Sequence, residues 1–242
     1  VPFNSLEKAG AAGSAIFRAG FVPSALELIE INALQIVSKM VDSTVVPVTD
    51  TTEGHLIIEV DGNNMDVLMQ EVEAIAELLV EFDAGDILFA DDAQQKAELW
   101  KLRRRAAEAV KLDGYTIEED TVVPRAELPA LIKGVKELGI QYGFKVVCYG
   151  HAGDGNLHIR INHPTIKNSH GNEEMTQILK ALFALVKSLG GTISGEHGIG
   201  LIQKPYMETV FSLNSIQLMR DIKKAFDPNN ILNVGKIFDA KD

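Results

Sequence analysis

The chain has 242 residues, of which 46% are hydrophobic and 24% charged, a composition typical of a globular protein with a well-buried core. Its formal net charge of −11 argues against a nucleic-acid partner, because such partners need a basic surface. No apolar run approaches the roughly 20 residues that cross a bilayer, and no signal peptide is visible, so we predict a protein that is not transmembrane.

The chain contains a single cysteine, Cys148, which excludes an internal disulfide and suits a reducing compartment. Its neighbours are apolar, and we interpret it as a buried strand residue rather than a catalytic thiol. We predict a cytoplasmic protein, with peripheral association of the full-length protein with a membrane as an alternative. The sequence opens on Val1-Pro2-Phe3 without an initiator methionine, and we expect it to be cut from something longer.

The first half of the chain, roughly residues 1–90, alternates between helical and strand patterns. Apolar spacing and turn residues predict, in chain order, a helix over 4–19, a strand or short apolar segment over 25–31, a strand over 55–60, an amphipathic helix over 66–82 and a strand over 86–89. This is the element order of the split βαβ unit of a ferredoxin-like sandwich.

The second half, roughly residues 115–195, follows a long helix predicted over 93–110 and resembles the first half in element order. Its predicted elements are a strand over 121–123, a helix over 126–142, strands over 145–149 and 157–161, and a helix over 175–189. The tail, 196–242, carries a last helix over 212–227. We therefore predict a single α+β domain over 1–242, built from two ferredoxin-like halves with antiparallel sheet and a C-terminal helical tail.

The densest chemical signal is the segment 150–158, with the sequence GHAGDGNLH. Its Gly, Asp and Asn residues tolerate positive φ, which predicts a tight reversal between two antiparallel strands. His151 and His158 stand at the two feet of this reversal, where their imidazoles could converge on one point. Two surface histidines beside a glycine-rich turn are the competing interpretation.

A second signal is the segment 190–200, GGTISGEHGIG, in which five glycines surround Glu196 and His197. Adjacent side chains of an extended segment point in opposite directions, so one of the two would face a metal and the other a substrate. A phosphate-binding loop is the weaker alternative, because the segment lacks the Gly-Lys-Ser/Thr of a P-loop and the dinucleotide-binding fingerprint.

Two imidazoles and one carboxylate form a facial ligand set that suits Zn, with Fe or Mn as alternatives. The hydroxyl and carboxylate of an α-hydroxy acid could fill the open positions, and the metal would lower the pKa of the hydroxyl. A neutral histidine nearby could take the proton. Nothing in the chain provides an acceptor for the hydride.

Together with LWKLR at 99–103, EDTVVP at 119–124 and FDPNNILNVGK at 226–236, these motifs resemble the C-terminal domain of FAD-linked oxidases. The resemblance is to the group of FAD-linked glycolate oxidases, D-lactate dehydrogenases and D-2-hydroxyglutarate dehydrogenases, and it covers essentially the whole chain. It implies an N-terminal FAD-binding domain that is absent from this chain, FAD bound mainly by that domain, and an active site between the two.

The resemblance also implies roles for single residues. The metal ligands would be His151, His158 and Glu196, and the base would be His197. Arg103 would bind the substrate carboxylate. The residues near the flavin would be Asn233, Gly235 and Lys236. We add Lys204 and Arg160 as substrate-binding candidates, because strand alternation places Arg160 on the face of His158.

The chain departs from the family pattern at four positions. Glu118 stands where the 2-hydroxyglutarate-type members have Lys, Arg160 where they have Asn, Gln203 where Lys is usual, and Val234 where the tail usually has Pro. The first three bear on the identity of the substrate and leave the metal ligands untouched.

We therefore predict the substrate- and metal-binding domain of an FAD-dependent dehydrogenase that oxidises a D-2-hydroxy acid of the lactate or glycolate type to the 2-oxo acid. Electrons would leave through an acceptor protein or a quinone, and a homodimer is an open alternative. Alone, the chain should be inactive, bind no flavin and expose an apolar patch where the flavin domain docks. The rival hypotheses are a stand-alone His/His/Glu metal enzyme, either a hydrolase or a non-haem iron oxygenase, and a non-catalytic interaction module.

Overall fold

The computed structural model describes residues 1–42, 46, 48–167 and 171–239. The strands are β1 (Pro2–Phe3), β2 (Ala25–Glu30), β3 (Gly54–Glu59), β4 (Ile117–Val122), β5 (Lys145–His151) and β6 (Asn156–Asn162). They form one sheet in the spatial order β1-β3-β2-β5-β6-β4, in which all neighbouring strands are antiparallel. The predicted α+β class with an antiparallel sheet is confirmed.

The contact between β2 and β5 joins the strands of the two predicted halves into this one sheet. The division of the chain into halves within a single domain stays a prediction, and residues 240–242 of the predicted tail lie outside the described part of the chain.

Helices pack on both faces of the sheet. They are α1 (Leu6–Arg18), α2 (Ile31–Val41), α3 (Met65–Val80), α4 (Ala93–Leu112), α5 (Leu128–Tyr142), α6 (Glu173–Ser188), α7 (Met207–Val210) and α8 (Leu213–Phe226). One core cluster holds apolar residues of α1, α3, α5 and α6, and a second holds those of α2 and α4 against the opposite face. None of the helices within the described residues is both long and apolar enough to cross a membrane.

Side-chain caps explain where most of the long helices begin. Each cap accepts a hydrogen bond from a backbone N–H of the first turn, which would otherwise have no partner in the helix. The capping residues are Ser5 for α1, Asn64 for α3, Asp92 for α4, Asn172 for α6 and Ser212 for α8.

Several local assignments differ from the sequence prediction, including the start of β4 at Ile117 rather than at residue 121. The strand predicted over 86–89 is wrong, because pairing ends at the isolated bridge between Phe3 and Ala84. The apolar residues that follow contribute to an apolar pocket beside α3 as irregular chain. A helix after β2 is missing from the sequence prediction, although α2 buries Ala33, Leu34 and Val37 on one side, with the spacing of an amphipathic helix.

Candidate functional site

The register of four strands brings a set of polar side chains to one face of the sheet. Glu27 of β2 lies opposite His151 of β5. Farther along, Tyr149 of β5 and Asp120 of β4 both lie opposite His158 of β6. Because residues that face each other across strands project to the same side, five side chains from four strands line one surface next to α4.

The two histidines of the predicted reversal converge as expected. β5 ends at His151 and β6 begins at Asn156, so the reversal lies between them. Gly155 adopts a φ of +76°, and a Cβ there would lie 2.0 Å from the carbonyl oxygen of Val123. Only glycine fits this approach, and the imidazole rings end up 5.9 Å apart, edge to face.

Glu196 completes the predicted set of three. Its Oε1 lies 3.4 Å from Nε2 of His158 and 3.8 Å from Nε2 of His151. One ligand atom from each residue falls within 4.8 Å of the other two. Tetrahedral ligands bound at about 2.1 Å lie about 3.4 Å from one another, so small side-chain adjustments would let this donor set hold one ion.

Asp120 anchors the loop that carries Glu196. Its buried carboxylate accepts backbone N–H bonds from Gly195, Glu196 and His197 at 2.9, 2.7 and 2.8 Å, and a side-chain bond from Asn156 at 2.5 Å. Burial acts to raise the pKa of Asp120, but these hydrogen bonds and the nearby His197 outweigh it and hold the pKa below its ordinary value. The loop is therefore fixed at its backbone.

His197 approaches the same cluster from its exposed side. Its ring lies 5.4 Å from that of His158, and its Nδ1 lies 4.0 Å from Oδ2 of Asp120. Glu196 and His197 were expected to point in opposite directions, yet both lie close to His158. The reason is that residues 193–199 form an irregular loop rather than the extended segment in which side chains alternate.

Arg103 of α4 lies over the same face. Its Nε donates to Oε2 of Glu27 at 2.6 Å, and its guanidinium lies 5.5 Å from the centre of the Tyr149 ring. Its Nη2 is buried and makes no hydrogen bond with any residue that the structure describes. A buried donor of this kind is costly unless something binds it.

Arg160 lies on the face of His158, as strand alternation predicts, but its guanidinium is not free. Its Nη2 lies 2.6 Å from Oε2 of Glu118, and its Nε donates to the hydroxyl of Tyr149 at 3.0 Å. In the sequence, Glu118 and Arg160 are two separate departures from the family pattern. In the structure they form one ion pair.

The other predicted residues lie at the contact between the tail and the loop after Gly200. Nζ of Lys204 donates to the carbonyl oxygen of Gly235 at 3.1 Å and to Asp239 at 2.5 Å. Nζ of Lys236 donates to Oδ1 of Asn233 at 3.3 Å. These contacts are among tail residues, so the substrate and flavin roles assigned to the group stay predictions.

The imidazole of His158 is held neutral by its surroundings. Burial is the main cause, and the nearby Arg103 adds to it, so that the pKa falls to about 4. A neutral imidazole keeps a lone pair for a metal or a proton. His158 also belongs to a second group of close ligand atoms, with Glu118 and His197.

The profile of "FAD linked oxidases, C-terminal domain" matches residues 1–237 of the chain. The chain belongs to this family. The family predicted from the sequence motifs is thus confirmed, over nearly the whole chain.

Curated relatives in this family include enzymes of hydroxy acids. The chain is 33% identical to the glycolate oxidase subunit GlcD of Bacillus subtilis, over 99% of the chain and 50% of that protein. It is 32% identical to the D-lactate dehydrogenase of Anaerostipes hadrus, over 98% and 51%. It is 35% identical to the D-2-hydroxyglutarate dehydrogenase of Stutzerimonas stutzeri, over 64% and 34%. The chain thus spans about half the length of the first two.

Solved structures with the same fold include two oxidoreductases of phenols. The 4-ethylphenol oxidase from Gulosibacter chungangensis superposes on 98% of the chain, with a TM-score of 0.66 and 15% identity. The p-cresol methylhydroxylase superposes on 100% of the chain, with a TM-score of 0.63 and 12% identity. In each case 52% of the solved chain is covered. At such low identity the likeness establishes the fold alone.

Within this FAD-oxidase domain, the structure adds residues that the sequence analysis did not single out as site residues. Glu27, Tyr149 and Asp120 contact predicted site residues, and Asn156 donates to Asp120. The available signal was acidic residues inside otherwise apolar strands, such as Glu27 in ALELIE, because such residues are rarely buried unless they are paired.

Proposed function

We propose that this domain binds and activates the substrate of an FAD-dependent dehydrogenase that oxidises a small D-2-hydroxy acid of the lactate or glycolate type to the 2-oxo acid. The observation that carries the proposal is the convergence of His151, His158 and Glu196 beside the buried Nη2 of Arg103, which has no hydrogen-bond partner among the described residues. The three metal-ligand candidates suit a metal that binds a hydroxyl, and the Arg103 donor suits a carboxylate. A hydroxyl and a carboxylate are the two functional groups of a 2-hydroxy acid.

The donor set supports a resident divalent metal, with Zn as the first choice and Fe or Mn as alternatives. Two neutral imidazoles and a carboxylate are ligands that Zn accepts readily. When bound, the metal would lower the pKa of the substrate hydroxyl. In this proposal Nε2 of His151, Nε2 of His158 and Oε1 of Glu196 hold the ion.

The remaining residues would orient the substrate and move a proton. Nη2 of Arg103 would bind the carboxylate, for which a guanidinium offers matched donors. His197, next to His158 on the exposed side, would accept the hydroxyl proton. FAD would take the hydride, and the chain itself contributes no redox group to this step.

The flavin domain is the partner that we propose for the open side of the site. The relatives are about twice as long as the chain, which leaves room for such a domain. Apolar side chains of α8 and the tail are largely exposed, among them Leu213, Leu218, Phe226, Ile231 and Leu232, as a docking surface would require. The electron acceptor, a homodimer and the cytoplasmic location stay predictions.

The test uses the full-length flavoprotein under anaerobic conditions. D-lactate or glycolate should bleach the flavin absorbance of the wild-type protein, and His197→Asn should slow this reduction roughly 100-fold or more, because proton transfer contributes about 10²–10⁴-fold. Glu196→Gln should lower both zinc content and reduction rate, whereas Glu208→Gln, on an exposed residue of α7, should change neither.

Two outcomes would contradict the proposal. A wild-type flavin that no 2-hydroxy acid reduces would refute the dehydrogenase activity. Turnover of a substrate by the metal-loaded domain without flavin would instead favour the stand-alone metal enzyme.

A further inference from the structure

We propose that Glu27 and Glu118 are positioning residues that hold His151 and His158 with both Nε2 atoms directed at Glu196. Each carboxylate lies on the Nδ1 side of one histidine and is itself held by an arginine. The site thus contains two Arg–Glu–His units, Arg103–Glu27–His151 and Arg160–Glu118–His158. The inference rests on the proposed metal site, for which these histidines are the ligands.

The first unit is fully formed. Oε1 of Glu27 lies 2.6 Å from Nδ1 of His151, while Oε2 accepts the 2.6 Å bond from Nε of Arg103. Glu27 is only 5% exposed. A carboxylate that pairs with a guanidinium acts as an acceptor, so this contact favours the neutral tautomer of His151 that has its proton on Nδ1 and its lone pair on Nε2.

The second unit has the same geometry with one longer contact. Oε2 of Glu118 pairs with Nη2 of Arg160 at 2.6 Å, and Oε1 lies 3.6 Å from Nδ1 of His158. That Nδ1 is buried and has no hydrogen-bond partner among the described residues. A shift of about half an ångström would bring it within hydrogen-bond distance of the carboxylate, again leaving Nε2 free.

The two units would serve the ligands in two ways. An imidazole that donates from Nδ1 to a carboxylate has a fixed tautomer and ring orientation, and its Nε2 is more basic. Each arginine also holds its carboxylate in place through an ion pair. Arg103 is shared between the substrate and Glu27, so Glu27 connects the proposed carboxylate site with a proposed metal ligand.

The first test measures tautomers in the metal-free domain by NMR of ¹⁵N-labelled histidine, at a pH where the imidazoles are neutral. We expect His151 and His158 to carry the proton on Nδ1, and Glu27→Gln to turn the single tautomer of His151 into a mixture. A proton found on Nε2 of either histidine in the wild-type protein would overturn the proposal for that unit, whether or not the variants fold.

The second test measures zinc affinity by chelator competition. Glu27→Gln and Glu118→Gln should each weaken binding about 10–100-fold, the usual effect of losing such a partner. The matched controls are Glu30→Gln on β2 and Glu119→Gln on β4, which are buried glutamates on the opposite face of the same strands. They should change affinity less than about threefold, because neither contacts a proposed ligand.

The two tests separate failures of the two proposals. A wild-type domain without zinc affinity would refute the metal site and leave the tautomer experiment to decide the positioning role. Equal losses in the site variants and in their controls would mean that the carboxylates only stabilise the fold, and would overturn the positioning role.

Discussion

Glu118 and Arg160 lie directly opposite each other on β4 and β6, and their side chains form an ion pair of 2.6 Å in which the arginine is almost fully buried. The pair removes the positive charge that Arg160 would otherwise offer to a ligand. Within this described cluster, the unpaired Nη2 of Arg103 is then the arginine donor that remains for a substrate. Under the proposed function, we expect this arrangement to favour a substrate with a single carboxylate.

The first prediction concerns this preference. Glu118→Gln in the full-length enzyme should free the guanidinium of Arg160 to bind a second carboxylate. We compare kcat/KM for a 2-hydroxy acid that has a second carboxylate with kcat/KM for lactate. The ratio of the first to the second should rise by roughly 10-fold or more. Steady-state kinetics with both substrates measures the ratio, which is independent of any common loss of metal. Glu119→Gln is the control, and an unchanged ratio in both variants would show that Arg160 does not contact substrate.

The second prediction concerns Arg103. Arg103→Lys keeps the charge next to Glu27 but loses the planar fork, so we expect kcat/KM for lactate to fall roughly 10–100-fold, as for one charged hydrogen bond. The effect should appear mainly in KM. Arg104→Lys, on the exposed side of α4, should have wild-type kinetics, and equal kinetics for both variants would exclude Arg103 from substrate binding.

The third prediction concerns the anchor of the Glu196 loop. Asp120→Ala removes the acceptor of three backbone N–H bonds, and we expect the unfolding free energy to fall by roughly 2–3 kcal/mol and amide exchange to accelerate over residues 195–197. Asp120→Asn should be milder, because the Asn156 amide can rotate to accept from the new NH₂ group. Urea titration and hydrogen exchange measure the two effects. Unchanged exchange in Asp120→Ala would show that the loop is held by other contacts.

The fourth prediction concerns pH. Burial, as the main cause, raises the pKa of Glu119 from 4.5 to about 7. Between these two pH values the folded state therefore holds a proton that the unfolded state has released. Stability from this group is therefore complete below about pH 4.5 and is lost as the pH rises through about 7, by about 3 kcal/mol in total.

Glu119→Gln tests the sign of this effect. The variant should gain stability over the wild-type protein between about pH 5 and pH 8, since a glutamine cannot ionise. The urea midpoints of the two proteins at about pH 5 and pH 8 measure the difference in stability between the variant and the wild-type protein. A constant difference across this range would mean that the carboxyl group titrates normally in the folded protein.

The sequence alone was enough to locate most helices and strands and the two glycine-rich motifs. These features depend on short-range information: apolar periodicity, helix caps and residues that tolerate positive φ. The β5–β6 reversal, for example, needs only Gly155 and its neighbours, so the approach of His151 to His158 could be predicted. The strand predicted over 86–89 failed because its apolar pattern did not specify whether another strand would be available for pairing.

The tertiary structure decided which residues support these motifs. Glu27 is 124 residues from His151 in sequence, and Asp120 is 76 residues from Glu196. No local pattern encodes either contact, because each depends on the register in which distant strands pair and on which face of the sheet a helix covers. The same register set Glu118 opposite Arg160, so the arginine that was predicted to bind substrate is paired with a carboxylate in the structure.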